Sequence, residues 1–193
     1  MRFVRLLLVI SLLFGAVAAA ADTTPPYEAF PSALGVAFGP ISGTGLHYHR
    51  WNGPTGFQVA AGILYLPPGE VGWMSNMLDY NVGGAFQRRV YGDRFADWLA
   101  GSLYLFAGGN HRGYIPVIGP VSVPEGEAVD YRVGSYQAEL GLGAGIGFEI
   151  ILFRHFSIPA DFGYGASWTM TEPDLSNAFR VQLYGQTALR YRY

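Results

Sequence analysis

The 193-residue chain has no cysteine, no lysine and little charge of any kind. Without cysteine there is no disulfide framework. Without lysine there is no G-x-x-x-x-G-K-[ST] phosphate loop, and the glycine-rich stretch from Gly141 to Ile150 misses the G-x-G-x-x-G fingerprint because Ile146 and Phe148 occupy its third slots. Charged residues make up 13%, about half the usual fraction, and the formal charge is −2. No basic field points to nucleic acid. Beyond the first segment no long apolar run exists, so a helix crossing a bilayer is not expected there.

What is present begins with MRFVRLLLVISLLFGAVAAA. Arg2 and Arg5 precede an apolar run from Leu6 to Phe14, and Ala18, Ala20 and Ala21 form a small-residue exit. This reads as a secretory signal peptide over residues 1–21, the apolar run being short of the ~20 residues that span a membrane. Its removal takes the formal charge from −2 to −4. Residues 22–31 are a Pro-containing lead-in expected to be mobile. Residues 32–193 form one domain.

The stretch GLGAGIGFEI sets glycine at every second position, and the alternation extends from Ala138 to Leu152. Period two over this length is the mark of a strand with one apolar face. Strand candidates are 32–38, 42–51, 56–66, 77–91, 97–108, 136–153, 156–171 and 179–193. Tight turns near 52–55, 92–95 and 154–155 alternate with longer connections near 67–76, 109–135 and 172–178. Such alternation is what an up-and-down barrel requires, and 32–38 must be a separate strand for the parity to hold.

Each strand divides into an apolar and a polar face. Leu142, Ala144, Ile146 and Phe148 oppose glycines flanked by Glu139 and Glu149, while Phe162 and Tyr164 oppose Asp161 and Gly163. Leu183, Leu189 and Tyr191 oppose Gln182, Arg190 and Arg192. A soluble barrel would turn the apolar face inward around a ligand. A membrane barrel turns it outward and keeps the polar face inside. The second is favoured by strand length and by Trp51, Tyr65, Trp168 and Tyr191 toward the ends of apolar faces, where interfacial girdles sit. The expected fold is all-β: an eight-stranded antiparallel up-and-down transmembrane β-barrel. Inner-face glycines then leave room for large side chains such as Tyr104 and Tyr184, or permit strand curvature.

In this pattern the chain resembles the small outer-membrane barrels of diderm bacteria, the class that includes the OmpA membrane domain, OmpX, OmpW and the deacylase PagL. Leu189, Tyr191 and Tyr193 are similar to the C-terminal signal read by the barrel assembly machinery, with Tyr193 where Phe is usual. The resemblance implies an outer-membrane location in a Gram-negative envelope, with outer-membrane lipid and the assembly machinery as partners. It assigns no functional residue.

Candidate chemistry is sparse. His47 and His49 form H-x-H on one face, a spacing that suits either a lumenal hydrogen-bonded pair or a weak metal site without a fixed third ligand. His49 with Ser102 or Ser167 would be needed for a PagL-like hydrolase, but no nucleophile motif ties them. His111, Arg112 and His155 are expected to be solvated. Asp79, Glu139, Glu149 and Asp161 meet Arg89, Arg180, Arg190 and Arg192 on the inner face. Buried charges must pair or stay hydrated, so these predict either an ion-pair plug or a charge-lined path for small ions. The segment 108–135 is expected to be a long surface loop, apolar at Tyr114, Ile115, Val117 and Ile118 and acidic at Glu125, Glu127 and Asp130, either variable or open to an extracellular ligand. The expected function is structural or surface-interacting, without catalysis or cofactor. A porin-like narrow channel, a lipid-modifying enzyme and a soluble lipid-binding barrel are the alternatives.

Overall fold

The alternating faces fold into a ring. A computed structural model describes residues 24–66, 76–118, 132–171 and 178–193. The strands are β1 (Ser32–Phe38), β2 (Gly45–Asn52), β3 (Thr55–Tyr65), β4 (Asn76–Ala96), β5 (Leu99–Ile118), β6 (Arg132–Val133), β7 (Gln137–Leu152), β8 (Phe156–Thr169) and β9 (Phe179–Arg192). Every pairing is antiparallel. Eight strands close the ring in the order β1-β2-β3-β4-β5-β7-β8-β9, with β9 returning to β1. Among the described residues, the two-residue β6 pairs only with the end of β5. Residues 1–21, expected as a signal segment, residues 67–75 of the 67–76 connection, residues 172–177, and Glu125, Glu127 and Asp130 lie outside the described residues.

Register fixes the tilt. A walk from Arg180 through partners Ser167, Gly141, Asn110, Gly83, Ala60, His47 and Gly35 returns to β9 at Arg190, ten residues further along. Ten residues of stagger over eight strands, at ~3.3 Å per residue and ~4.8 Å between strands, tilt the strands by about 40°.

Burial is inverted relative to a water-soluble core. Arg192 and His49 are 0% exposed, whereas Phe86 and Leu46 are 78% exposed. On β7, Leu142, Ile146, Phe148 and Ile150 face out, while Gly141, Gly147 and Glu149 are buried inside. The inner glycines serve both purposes. A Cβ on Gly147 would strike the Tyr104 ring, and one on Gly165 would lie 2.7 Å from Tyr184; one on Gly145 would meet the Phe162 carbonyl, where two strands bend together.

Several boundaries differ from the sequence pattern. The turn expected at 92–95 lies at Asp97–Trp98, because bulges near Arg89/Tyr91 and Arg94/Ala96 carry β4 past the Gly-Asp pair. Residues 109–118, expected as loop, belong to β5 and pair with β4 and β7. Tyr114, Ile115, Val117 and Ile118 are therefore strand residues. Residues 42–44 belong to the β1–β2 connection, with β2 beginning at Gly45.

The lead-in is docked through Pro26 and Tyr27 rather than loose. Pro26–Ala29 form the helical turn α1 across the tight-turn end of the ring. Tyr27 is buried there, and a Cβ on Gly92 would meet its hydroxyl at 2.7 Å. The Arg89 guanidinium stacks on the Tyr27 ring at 3.8 Å and pairs with Glu28 at 3.3 Å. The Pro31 carbonyl accepts from the Trp51 amide at 2.8 Å. Tyr27→Ala is expected to lower unfolding stability by about 2–4 kcal/mol and to speed hydrogen exchange at the Trp51 amide. Urea unfolding and deuterium uptake would read the two effects.

Candidate functional site

The interior has two floors of different character. The lower one, toward the tight turns, is filled. Glu149 on β7 is fully buried and accepts from Arg192 Nη2 at 2.6 Å, Arg190 Nη1 at 3.4 Å and Trp51 Nε1 at 3.5 Å. Arg190 also donates to Gln58 Oε1 at 2.6 Å, and Arg192 to the Phe30 carbonyl at 3.2 Å. Gln58 accepts as well from His47 Nε2 at 3.2 Å, and Gln87 accepts from His49 Nε2 at 3.0 Å. Tyr104 donates to Asp161, whose other oxygen accepts from Gln186 Nε2 at 2.8 Å. Two carboxylates and two guanidiniums thus balance within one cross-section, with Trp51 and Tyr104 edge-to-face at 5.8 Å. A polar cavity of about 10 Å³ lies among Gln58, Asp161 and Arg190, room for a single water.

A roof closes this floor. After β1 the chain turns inward over residues 39–44, with positive φ at Gly43 (95°) and Gly45 (126°), a backbone region that glycine enters without strain. Ile41 and Ser42 become buried, and their amides donate to Gln186 Oε1 at 3.3 and 3.1 Å. Gly143 on the facing wall gives space to the Ile41 side chain.

Above the roof lies a vestibule of about 670 Å³. Its polar wall carries Asp79, Asn81, Asn110, Arg112 and Glu139; its apolar rim is Phe38, Ile63 and Leu64. Arg112 donates to both oxygens of Asp79, from Nε at 2.9 Å and from Nη2. Asn81 Oδ1 accepts from the Thr44 amide at 2.6 Å and so ties the roof to the wall.

The expected inner-face charges fall into three groups. Glu149, Asp161, Arg190 and Arg192 share the lower floor. Asp79 and Glu139 line the vestibule, with Arg112 on the strand between them, opposite Glu139 and diagonal to Asp79. Arg89 closes the bottom with the lead-in. Arg180 is on the inward side of β9 but exposed, and pairs with none of the other charges among the described residues.

Other assignments need correction. Trp51 is not a girdle residue: it is 2% exposed and lines the lumen, because a spacing of two puts it on the face of His47 and His49. Tyr65, Trp168 and Tyr191 do face outward and are exposed, as are Leu189 and Tyr193. His111 and Arg112 are not loop residues. His111 Nε2 lies 3.3 Å from the Tyr80 hydroxyl on the outer face, and Arg112 is the ion-paired residue that the loop reading concealed. His155 is held rather than solvated, Nδ1 donating to the Arg192 carbonyl at 2.8 Å and the ring lying 4.3 Å from Phe30.

His47 and His49 are joined by no third His, Asp or Glu in metal-binding geometry among the described residues. Ser102 Oγ is buried without a hydrogen-bond partner, and His49 Nε2 is engaged by Gln87. A serine–histidine pair is therefore not assembled at Ser102.

Fold and interior together define a closed eight-stranded antiparallel barrel with an ion-paired filling and a half-open vestibule. Neither the models of known protein families nor the curated proteins give a match to this chain.

Proposed function

We propose that the chain is an outer-membrane barrel protein, exported behind a cleaved signal peptide and inserted with its apolar face in lipid. Its role is structural or surface-interacting, and its lumen does not conduct. The inverted burial supports insertion. Each large apolar side chain now exposed, such as Phe86, Phe162 or Ile146, would gain about 1.5–3 kcal/mol on leaving water. The charges that hydrocarbon would reject most strongly, Glu149, Asp161, Arg190 and Arg192, are bonded to one another and to polar neighbours inside. Tyr65, Tyr80, Tyr136 and Trp168 at one end, and Trp98 and Tyr191 at the other, suit two interfaces. Outer-membrane lipid and the barrel assembly machinery are the partners this reading requires.

The observation that carries the closed lumen is the Glu149–Arg190–Arg192 cluster, packed against Trp51 and Tyr104 and sealed by α1 below and residues 39–44 above. An ion path would have to break these pairs. In planar bilayers the purified protein should show no resolved conductance steps; reproducible openings would favour the narrow channel instead. Insertion is read separately. A nitroxide at Phe162 in vesicles should collide with oxygen far more than with a water-soluble nickel complex, and the reverse preference would place that face in water.

A further inference from the structure

The outer face carries a hollow on one side of the ring. A groove of about 780 Å³ crosses β1 to β4, walled by Leu34, Leu46, Val59 and Val82 and floored by Ala61, with Tyr48 at one end. That volume lies in the range of about 300–1,000 Å³ usual for ligand sites. Ala61 is the reason for the hollow. It pairs with Leu46 on one side and Val82 on the other, and its methyl is short beside their exposed side chains.

The groove is inclined. One rung of outward residues runs from Leu34 through Tyr48 to Val59, and the next from Val36 through Leu46 and Ala61 to Val82. The stagger of the ring lifts each rung away from the tight-turn end as it passes from β1 to β4. The low end therefore lies at Leu34 and Tyr48, beside Tyr191, the cross-strand partner of Leu34. The high end, at Val82, enters the apolar band.

Three donors stand at the low end. Ser32 and Arg50 are partners in register, and the Tyr48 hydroxyl lies beside both of their side chains. The Tyr48 ring rests on Phe57 at 5.8 Å between centroids. Arg50 is exposed and, among the described residues, pairs with no carboxylate, the chain terminus at Tyr193 included. The acids of this end are committed elsewhere: Glu28 to Arg89, Asp97 to Arg94, and Asp93 to the Tyr91 hydroxyl and the Arg94 amide. A phosphodiester supplies acceptors to all three donors, and a guanidinium takes it through two parallel bonds. A head that also bears an ammonium brings a cation for which no free carboxylate is present.

We infer that this face is a binding site for an anionic phospholipid, its phosphate held by Arg50, Tyr48 and Ser32 and one acyl chain lying in the groove toward Val82. The second chain joins the surrounding lipid. The site rests on the membrane reading above, since only a bilayer presents such a lipid to this face.

The test uses the full-length mature protein, native mass spectrometry from detergent micelles, and phosphatidylglycerol as the probe. Binding should saturate at one molecule, with phosphatidylethanolamine and phosphatidylcholine each at least tenfold weaker. Arg50→Gln should weaken phosphatidylglycerol about tenfold, the loss of one charge-assisted contact. Ala61→Phe fills the groove at an exposed position and should also weaken it about tenfold, which keeps the test available if the first variant folds poorly. Arg88→Gln removes an exposed arginine of the same end, two strands from Arg50 and outside the groove, and should leave binding unchanged. Equal retention of the three lipids, binding that never saturates, unchanged affinity in both groove variants, or an Arg88→Gln loss equal to that of Arg50→Gln would overturn the inference. The oxygen-collision result at Phe162 tells failure of this site from failure of the membrane reading.

Discussion

Glu149→Gln should destabilise the barrel by about 3–5 kcal/mol, the cost of leaving buried charges without their partner. Shape is kept and only charge is removed. Arg190 and Arg192, both essentially unexposed, then face each other across a neutral amide. Neither can reach bulk water, since α1 and Phe30 lie below and Ile41 above. The contrast is Glu28→Gln, which breaks the pair with Arg89 at a carboxylate that is about half exposed. There the cost should stay within about 1 kcal/mol. Urea titration in lipid vesicles, followed by the heat-dependent gel mobility typical of folded barrels, would compare the two. A Glu149 effect as small as that of Glu28 would mean that water reaches the arginines and that the lumen is not sealed.

Gly147→Val should cost about 3 kcal/mol, at the upper end of overpacking penalties. Its Cβ would collide with the Tyr104 ring and the Asp161 carboxylate, both buried and mutually hydrogen-bonded, so neither can swing away without breaking the other's contact. Tyr104→Ala alone should cost about 3–5 kcal/mol, as expected for emptying a fully buried aromatic site. The double variant should cost less than the sum by about 1–2 kcal/mol, because the valine occupies space the ring has vacated. Strict additivity in the same urea titration would show that the glycine serves curvature and not the ring.

These two positions illustrate what the residues disclose by themselves. Burial on β7 alternates without a break from Glu139 to Ile151, so its faces, and with them Gly147 and Glu149, could be assigned without coordinates. β4 is different. Bulges at Arg89/Tyr91 and Arg94/Ala96 change the parity near its end, and bulges carry no fixed composition, so the turn at Asp97–Trp98 was hidden behind a more turn-like Gly92-Asp93. The upper half of β5 holds Gly108, Gly109 and Gly113, which resemble a loop in composition but sit where neighbouring backbones and ring side chains crowd. Trp51 was within reach of the alternation rule; its size suggested an interface while its spacing from His49 put it inside. The docked lead-in had no local signal. Tyr27 and Phe30 become meaningful only once Gly92 and His155 are brought beside them by strands far away in the chain. The same holds for the Arg112–Asp79 pair, since a cross-strand partner cannot be named before the register is known.

The ring is closed by its first strand and its ninth. Ala33 meets Arg192 across almost the whole sequence, so nothing seals the cylinder until the final segment has arrived, and the search for that contact spans nearly the longest loop the chain can make. The same final segment brings both guanidiniums that neutralise Glu149. Until β9 docks, an earlier part of the chain carries a lone carboxylate destined for a dry interior, and that carboxylate has every reason to stay hydrated. Closure and neutralisation are therefore one event. An assembly intermediate lacking β9 should remain an open, wet sheet, unable to collapse into a smaller barrel that leaves the last strand out.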